Sequence, residues 1–193
     1  LIIDCSGSKK SEQFSVRRKD MRELETERLK LRYLKADDAQ TMFDNWTSDP
    51  EVPKYMTWLV HESVETTREI LNNWLSQYED PDCYRWGIEL KGSGELIGMI
   101  DVVKYLENKV PEIGYCSGKK WWGNGYMTEA LKAVAAELFA NGFNELFIAA
   151  VRENIGSNRV IQKAGFELTG TETGKISAVR PEIMTVNKYI LRK

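Results

Sequence analysis

Two glycines one residue apart, Gly123 and Gly125, stand directly ahead of an amphipathic run in the stretch KKWWGNGYMTEALKAV, residues 119–134. Glycine opposes helix formation, so a pair of them at a helix entrance needs a reason. From Met127 onward, Leu131, Val134 and Leu138 recur at helical spacing and define one apolar face. The spacing predicts a helix that begins near Gly125 with Asn124 as its N-cap. First-turn N–H groups lack partners inside such a helix, and the aligned peptide dipoles put partial positive charge there. Bare glycines would let a phosphate approach that backbone, and Lys119 and Lys120 add positive charge nearby. A tight strand-to-helix turn would use the same two glycines, and an isolated G-x-G does not separate the two readings. Thr128 occupies the place of the third glycine of a dinucleotide fingerprint, which disfavours a Rossmann nicotinamide site.

Other kinds of chemistry are narrowed by what the chain contains. It has one histidine, His61, at an apparent helix start, where a surface or capping role is expected rather than a catalytic base. Proton transfers would then run mostly without imidazole. Three cysteines, Cys5, Cys83 and Cys116, form no C-x-x-C pair. That argues against a disulfide framework and against a zinc site, so no metal is expected, and it fits a reducing cytoplasm. The segment KGSGE lacks the G-K-[ST] of a phosphate loop and reads as a hairpin turn.

With 193 residues, 42% of them hydrophobic and 29% charged, the chain has the length and composition of one well-buried domain. A net charge of −2 gives no bulk electrostatic case for nucleic acid, and no apolar stretch approaches the length of a membrane span. The first twenty residues lack periodicity and a continuous apolar signal-peptide core, and Met21 precedes the first organised segment. They are expected to be a flexible extension, 1–20, ahead of a domain spanning 21–193.

The elements that must position any site follow from hydrophobic periodicity. RLKLRYL (28–34) alternates as a half-buried strand, DDAQTMFDNW opens a short helix, and SVETTREILNNWLSQYED is a second helix. YRWGIELK and ELIGMIDVVKY form two strands joined at Gly92-Ser93-Gly94, and VPEIGYCSG is another. Behind the helix of the opening stretch, NELFIAAV reads as a buried strand and GSNRVIQKAGF as a short helix stopped at Gly165. Two strands end the chain, the last through MTVNKYIL. The pattern predicts an α/β (α+β) domain, a mixed sheet covered by helices.

Taken together, Glu112 to Tyr115 (EIGY), Lys120 to Gly125, Gly125 to Ala130 (GYMTEA) and the N-x-x-S-x-x-V-x-x-K-x-G-F run from Asn154 to Phe166 resemble the GNAT superfamily of N-acetyltransferases. The likeness is strongest to the branch with ribosomal-protein N-terminal acetyltransferases. It is tight over the second half of the chain and looser over LETERLKLRYLKADDA in the first. The resemblance implies a mainly antiparallel central sheet flanked by helices, the GNAT-type acyl-CoA N-acyltransferase fold, with acetyl-CoA as cosubstrate. Trp121, Trp122, Gly123, Asn124, Gly125 and Tyr126 would hold the pyrophosphate through backbone N–H groups. Tyr115, Cys116 and Ser117 would splay from the neighbouring strand and bind the pantetheine arm as an added strand.

The same resemblance implies the catalytic groups. Ser157 matches a serine near the coenzyme sulfur that can act as acid, and it is equally a helix-capping residue. Family members with a tyrosine on this helix differ from this chain, which has Val160, Ile161, Gln162 and Lys163 there. Glu112 is the expected general base, where partial desolvation would raise its pKa, or else an outward residue paired with a lysine. Asp101 is the weaker candidate. Asn154 would orient the pantetheine or the Ser157 turn, and Lys163 would meet an adenosine phosphate or simply solvent. Cys116 and Ser117 replace a bulky pair and are expected to widen the acceptor cleft. Trp121 and Trp122 are expected to pack around the loop, and Trp46, Trp58 and Tyr55 to line the acceptor side. The implied partner is an amine acceptor: a protein α-amine, a polyamine, an amino acid or an aminoglycoside. A non-catalytic acyl-CoA-binding module and a pure interaction domain are the other readings, and a homodimer is open.

Overall fold

Alternation of apolar and charged residues in the predicted strands becomes one eight-stranded sheet in the computed structural model, which describes residues 21–193. The extension expected over residues 1–20, and Cys5 with it, lies outside the described residues. The strands are β1 (Leu24–Glu25), β2 (Leu29–Arg32), β3 (Arg85–Leu90), β4 (Leu96–Tyr105), β5 (Pro111–Ser117), β6 (Glu145–Val151), β7 (Glu167–Ser177) and β8 (Arg180–Arg192). Their order across the sheet is β1-β2-β3-β4-β5-β6-β8-β7. Every neighbouring pair is antiparallel except β5 and β6. That exception is forced by connectivity: β5 and β6 are joined by a crossover helix, and such a connection returns the chain in the same direction.

Four helices cover the sheet: α1 (Asp38–Met42), α2 (Val64–Ser76), α3 (Tyr126–Ala140) and α4 (Ile155–Lys163). Ser63 caps α2 by accepting from Thr66 N–H at 3.3 Å, so that helix starts three residues after His61. α1 is only five residues long and runs into a wider π turn over Phe43–Thr47. The faces are segregated by pleat. Ile100 and Val102 of β4 pack with Leu131, Val134 and Leu138 of α3 and Ile161 of α4. Met99, from the opposite face, packs with Met42, Trp46 and Leu71 on the α1–α2 side. Burial of these side chains, at roughly 1.5–3 kcal/mol each against leaving them in water, holds the layers together.

Charged residues inside this framework are paired. Arg32 bonds Asp38 at 2.8 and 2.9 Å and Glu89 at 2.6 Å, tying β2 to α1 and β3. Arg85 bonds Asp101 at 3.1 Å across β3 and β4. A charge in such a place is tolerable only with a partner.

Candidate active site

The glycine pair opens a cavity of about 550 Å³ bounded by the end of β5, the loop that follows it, and the first turns of α3 and α4. Gly123 and Gly125 have φ of +79° and +81°, a left-handed conformation that side chains resist. No atom lies within 4 Å of where a Cβ on Gly123 would sit. The first α-helical bond of α3 runs from Glu129 N–H to Gly125 O at 3.1 Å. The N–H groups of Tyr126, Met127 and Thr128 therefore precede the helical ladder. An anion is the natural guest of that end.

Two details differ from expectation. Gly125, not Asn124, is the residue before the helix, because the turn needs positive φ; Asn124 Nδ2 instead donates to Trp121 O and Trp122 O at 3.2 Å each. Arg28, from the β1–β2 connection, also reaches the loop. It bonds Asn124 O at 3.1 Å and Glu129 at 2.7 Å, and its guanidinium lies 4.5 Å from the centre of the Tyr126 ring. Burial alone would raise Glu129, but hydrogen bonds from Thr26 and Arg28 hold it below the usual carboxylate range. Nothing near Arg28 in sequence announces this contact, since its partners are some 96 to 101 residues away.

The strand edge beside the loop is open. β5 pairs with β6 at a single register position, Glu112 with Phe147, whereas its pairing with β4 continues to Ser117. A Cβ on Gly98 of β4 would meet Cys116 O at 2.3 Å, so that carbonyl faces β4. Alternation then turns the Tyr115 and Ser117 carbonyls toward the gap. Ser117 O already accepts from Trp122 Nε1 at 2.9 Å. Of the two tryptophans expected to pack, Trp121 is buried but Trp122 is 47% exposed, because its indole hangs on that single bond at the cavity wall.

Three of the expected residues converge at the start of α4. Asn154 caps the helix, its Oδ1 accepting from Ser157 N–H at 3.1 Å. The Ser157 side chain is thereby left free of capping, and its Oγ lies 2.9 Å from the Tyr115 hydroxyl. Lys163 and Arg159 stand farther along the same cavity wall. On the other side of this junction is a second cavity of about 700 Å³, reaching over β6 to the β7–β8 hairpin. The two cavities share Tyr55, Met56, Tyr115, Asn154 and Ser157.

Glu112 belongs to the second cavity and pairs with Lys104 at 3.2 Å, the arrangement given above as the alternative to a free base. A second carboxylate there, Glu172 on β7, pairs with Lys188; sequence reading missed it because it lies in an exposed stretch with no motif. Asp101 lines neither cavity. It is raised by burial, an effect that Arg85 partly opposes, and it serves the framework.

The three aromatic residues expected to line the acceptor side do not stay together. Tyr55 does line the second cavity, but Trp46 is fully buried in the α1–α2 core and Trp58 packs against that core beside His61. Cys116 and Ser117 line the first cavity rather than the second. Cys116 packs toward Met99 and Trp46, where burial and the nearby Asp101 push its thiol up to about 12. Such a thiol is a poor nucleophile at neutral pH. The chain between α1 and α2 is strapped down by Arg180 at the start of β8, whose Nη2 bonds Pro53 O at 2.5 Å and Trp58 O at 3.0 Å. His61 closes the strap: its Nδ1 is 2.8 Å from Thr67 Oγ1, it is half-buried, and burial lowers its pKa. It is an anchor rather than a surface residue.

Among the described residues no group of three or more His, Cys, Asp or Glu could hold a metal, and no helix is long and apolar enough to cross a membrane. Comparison with known proteins gives a consistent answer. Residues 28–167 match the acetyltransferase (GNAT) domain family. The chain is 32% identical over 149 residues to the uncharacterized N-acetyltransferase YoaA of Bacillus subtilis, covering 76% of this chain and 84% of that one. A GNAT-family acetyltransferase structure from Bacillus anthracis superposes with a TM-score of 0.75 at 25% identity, over 89% of this chain and 98% of that one. RimL, a ribosomal α-N-protein acetyltransferase solved in complex with coenzyme A, shares the fold with a TM-score of 0.75 at 20% identity, over 86% and 95%.

Proposed function

The chain belongs to the acetyltransferase (GNAT) domain family, and from that premise we propose that it moves an acetyl group from acetyl-CoA to a primary amine, the α-amino group of a protein N-terminus. The observation that carries this reading is the junction of the two cavities at Tyr115, Asn154 and Ser157. A coenzyme arm laid along the open edge of β5 and an amine entering from the β7–β8 side would meet there. Bound acetyl-CoA supplies an activated acetyl thioester. The chain's own residues fit it: the glycine cradle and the unpaired first-turn N–H groups of α3 suit the pyrophosphate, with Lys163 and Arg159 as cations for a phosphate farther out.

In this reading Trp121 to Tyr126 bind, Cys116 and Ser117 offer backbone, and Ser157 and Glu112 handle protons. The amine nitrogen bonds the acetyl carbon as the carbon–sulfur bond breaks. Ser157 gives its proton to the departing sulfur, Glu112 takes the proton shed by nitrogen, and exchange with water restores both. Glu112 must release Lys104 to do so, and the exposed lysine can turn to solvent while the carboxylate, itself mostly covered, is left to accept the proton. Most of the acceleration would come from holding both substrates at one junction. Two free thiols, Cys83 and Cys116, agree with a reducing cytoplasm.

The test is to supply purified protein with acetyl-CoA and a panel of amines: peptides beginning with Ser, Ala or Met, spermidine, an amino acid and an aminoglycoside. Acetylation of a peptide α-amine above the small amines is expected. Turnover of spermidine or the aminoglycoside alone would move the acceptor class. Tight acetyl-CoA binding with no turnover on any amine would favour a sensing module.

A further inference from the structure

The Tyr115 hydroxyl has two neighbours on one residue: Ser157 Oγ at 2.9 Å and Ser157 O at 3.2 Å. The phenol carries a single proton, and a carbonyl can only accept. Two hydrogen-bond arrangements therefore satisfy the same heavy-atom positions. In the first, Tyr115 donates to Ser157 O while the serine hydroxyl donates back to the Tyr115 oxygen, and both protons are spent inside the pair. In the second, Tyr115 donates to Ser157 Oγ, and the serine proton is free to point into the cleft. Passing from one to the other needs only the rotation of two O–H bonds.

We propose that Tyr115 is a positioning residue that sets the direction of the Ser157 proton, keeping it satisfied in the empty cleft and aiming it outward when a ligand atom arrives to accept it. This rests on the reading of Ser157 as the proton donor. Three features of the chain make the pair suited to it. Both partners are held independently, Tyr115 by the β4–β5 ladder opposite Ile100 and Ser157 by the Asn154 cap on its N–H. Burial raises the Tyr115 phenol, with the Ser157 contact opposing, so the hydroxyl stays protonated and remains a donor. The neighbouring Asn158 is committed elsewhere: its Oδ1 accepts from Tyr189 OH at 2.7 Å and from Asn187 Nδ2 at 2.8 Å. Ser157 also stands in the first turn of α4, where the backbone favours negative charge on its oxygen as the proton leaves. The position is inconspicuous in sequence, since Tyr115 and Ser157 are 42 residues apart.

The experiment titrates the thiol of bound coenzyme A by its ultraviolet thiolate absorbance, subtracting the free protein to remove the chain's own three cysteines. No acceptor amine is needed. A serine proton directed at the sulfur stabilises the thiolate, so its pKa in the wild type is expected about one unit below that in Ser157→Ala. Tyr115→Phe is expected to lose the same shift, and the double variant no more than either alone, while calorimetry shows coenzyme A affinity kept within about threefold. A Tyr115→Phe complex that titrates like wild type, with Ser157→Ala displaced, would overturn the proposal and leave the donor reading standing. Identical titrations in all three would remove the donor reading and the proposal with it. Should Tyr115→Phe not fold, a ring-fluorinated tyrosine at position 115 keeps the shape and donates more strongly. It is expected to lower the bound thiol's pKa below wild type, and no change would overturn the proposal equally.

Discussion

The cavity at the first turn of α3 and the cavity under the β7–β8 hairpin differ in what they are made of. The first is organised around exposed backbone: two left-handed glycines, a helix end and a strand edge contributed by residues 115–128, completed by α4 and by strap residues from Glu51 to Met56. The second is walled by side chains from β4 to β8 and from the strap around Tyr55 and Met56, segments spread over more than half the chain. A backbone cradle tolerates few substitutions because any side chain obstructs it. A side-chain wall can be rebuilt one residue at a time. The contrast teaches where recognition of a common ligand and recognition of a particular acceptor would be divided.

The division can be broken by asking whether each cavity fails alone. Gly123→Asp puts a Cβ and a negative charge where the cradle is bare and φ is positive, and acetyl-CoA affinity measured by calorimetry should fall about a hundredfold or more. Arg180→Ala releases the strap from the hairpin by removing two hydrogen bonds to backbone carbonyls. Its expected effect is smaller, a rise in acceptor KM of about fivefold with a lesser loss of acetyl-CoA affinity, since each such bond contributes about 1 kcal/mol and Tyr55 and Met56 line both cavities. An equal loss of cofactor affinity in Arg180→Ala would mean that the two cavities are not separable.

The smallest effect concerns pH. Burial lowers the pKa of His61, so the unfolded chain binds a proton more readily than the folded one. Above the unfolded pKa of about 6.5 the group costs nothing, and stability declines as pH falls through that value toward the folded pKa. Between about pH 7.5 and about pH 5.5 the wild type should lose slightly more thermal stability than His61→Gln. Equal losses would show that the strap does not depend on a neutral ring.

The same contrast explains how much was legible in the sequence. The glycine pair, the Asn154–Ser157 turn and the stop at Gly165 are local, so spacing alone exposes them. The two-residue strand Leu24–Glu25 escaped because it is too short for alternation to register. Propensity favours Asn124 as the cap, whereas the turn demands positive φ at Gly125. Residue type points Trp46 toward the cleft, but which side of a short helix faces a cavity depends on packing against distant segments. Arg28, Glu172 and Arg180 act across the fold, and a single chain read in order carries no trace of their partners.

The most direct test of the account is Ser157→Ala measured two ways in one preparation. If the cavities bind separately and join at this residue, acetyl-CoA affinity by calorimetry stays at the wild-type value while kcat falls about a hundredfold. An unchanged kcat, or a loss of binding that accounts for the whole loss of rate, would contradict it.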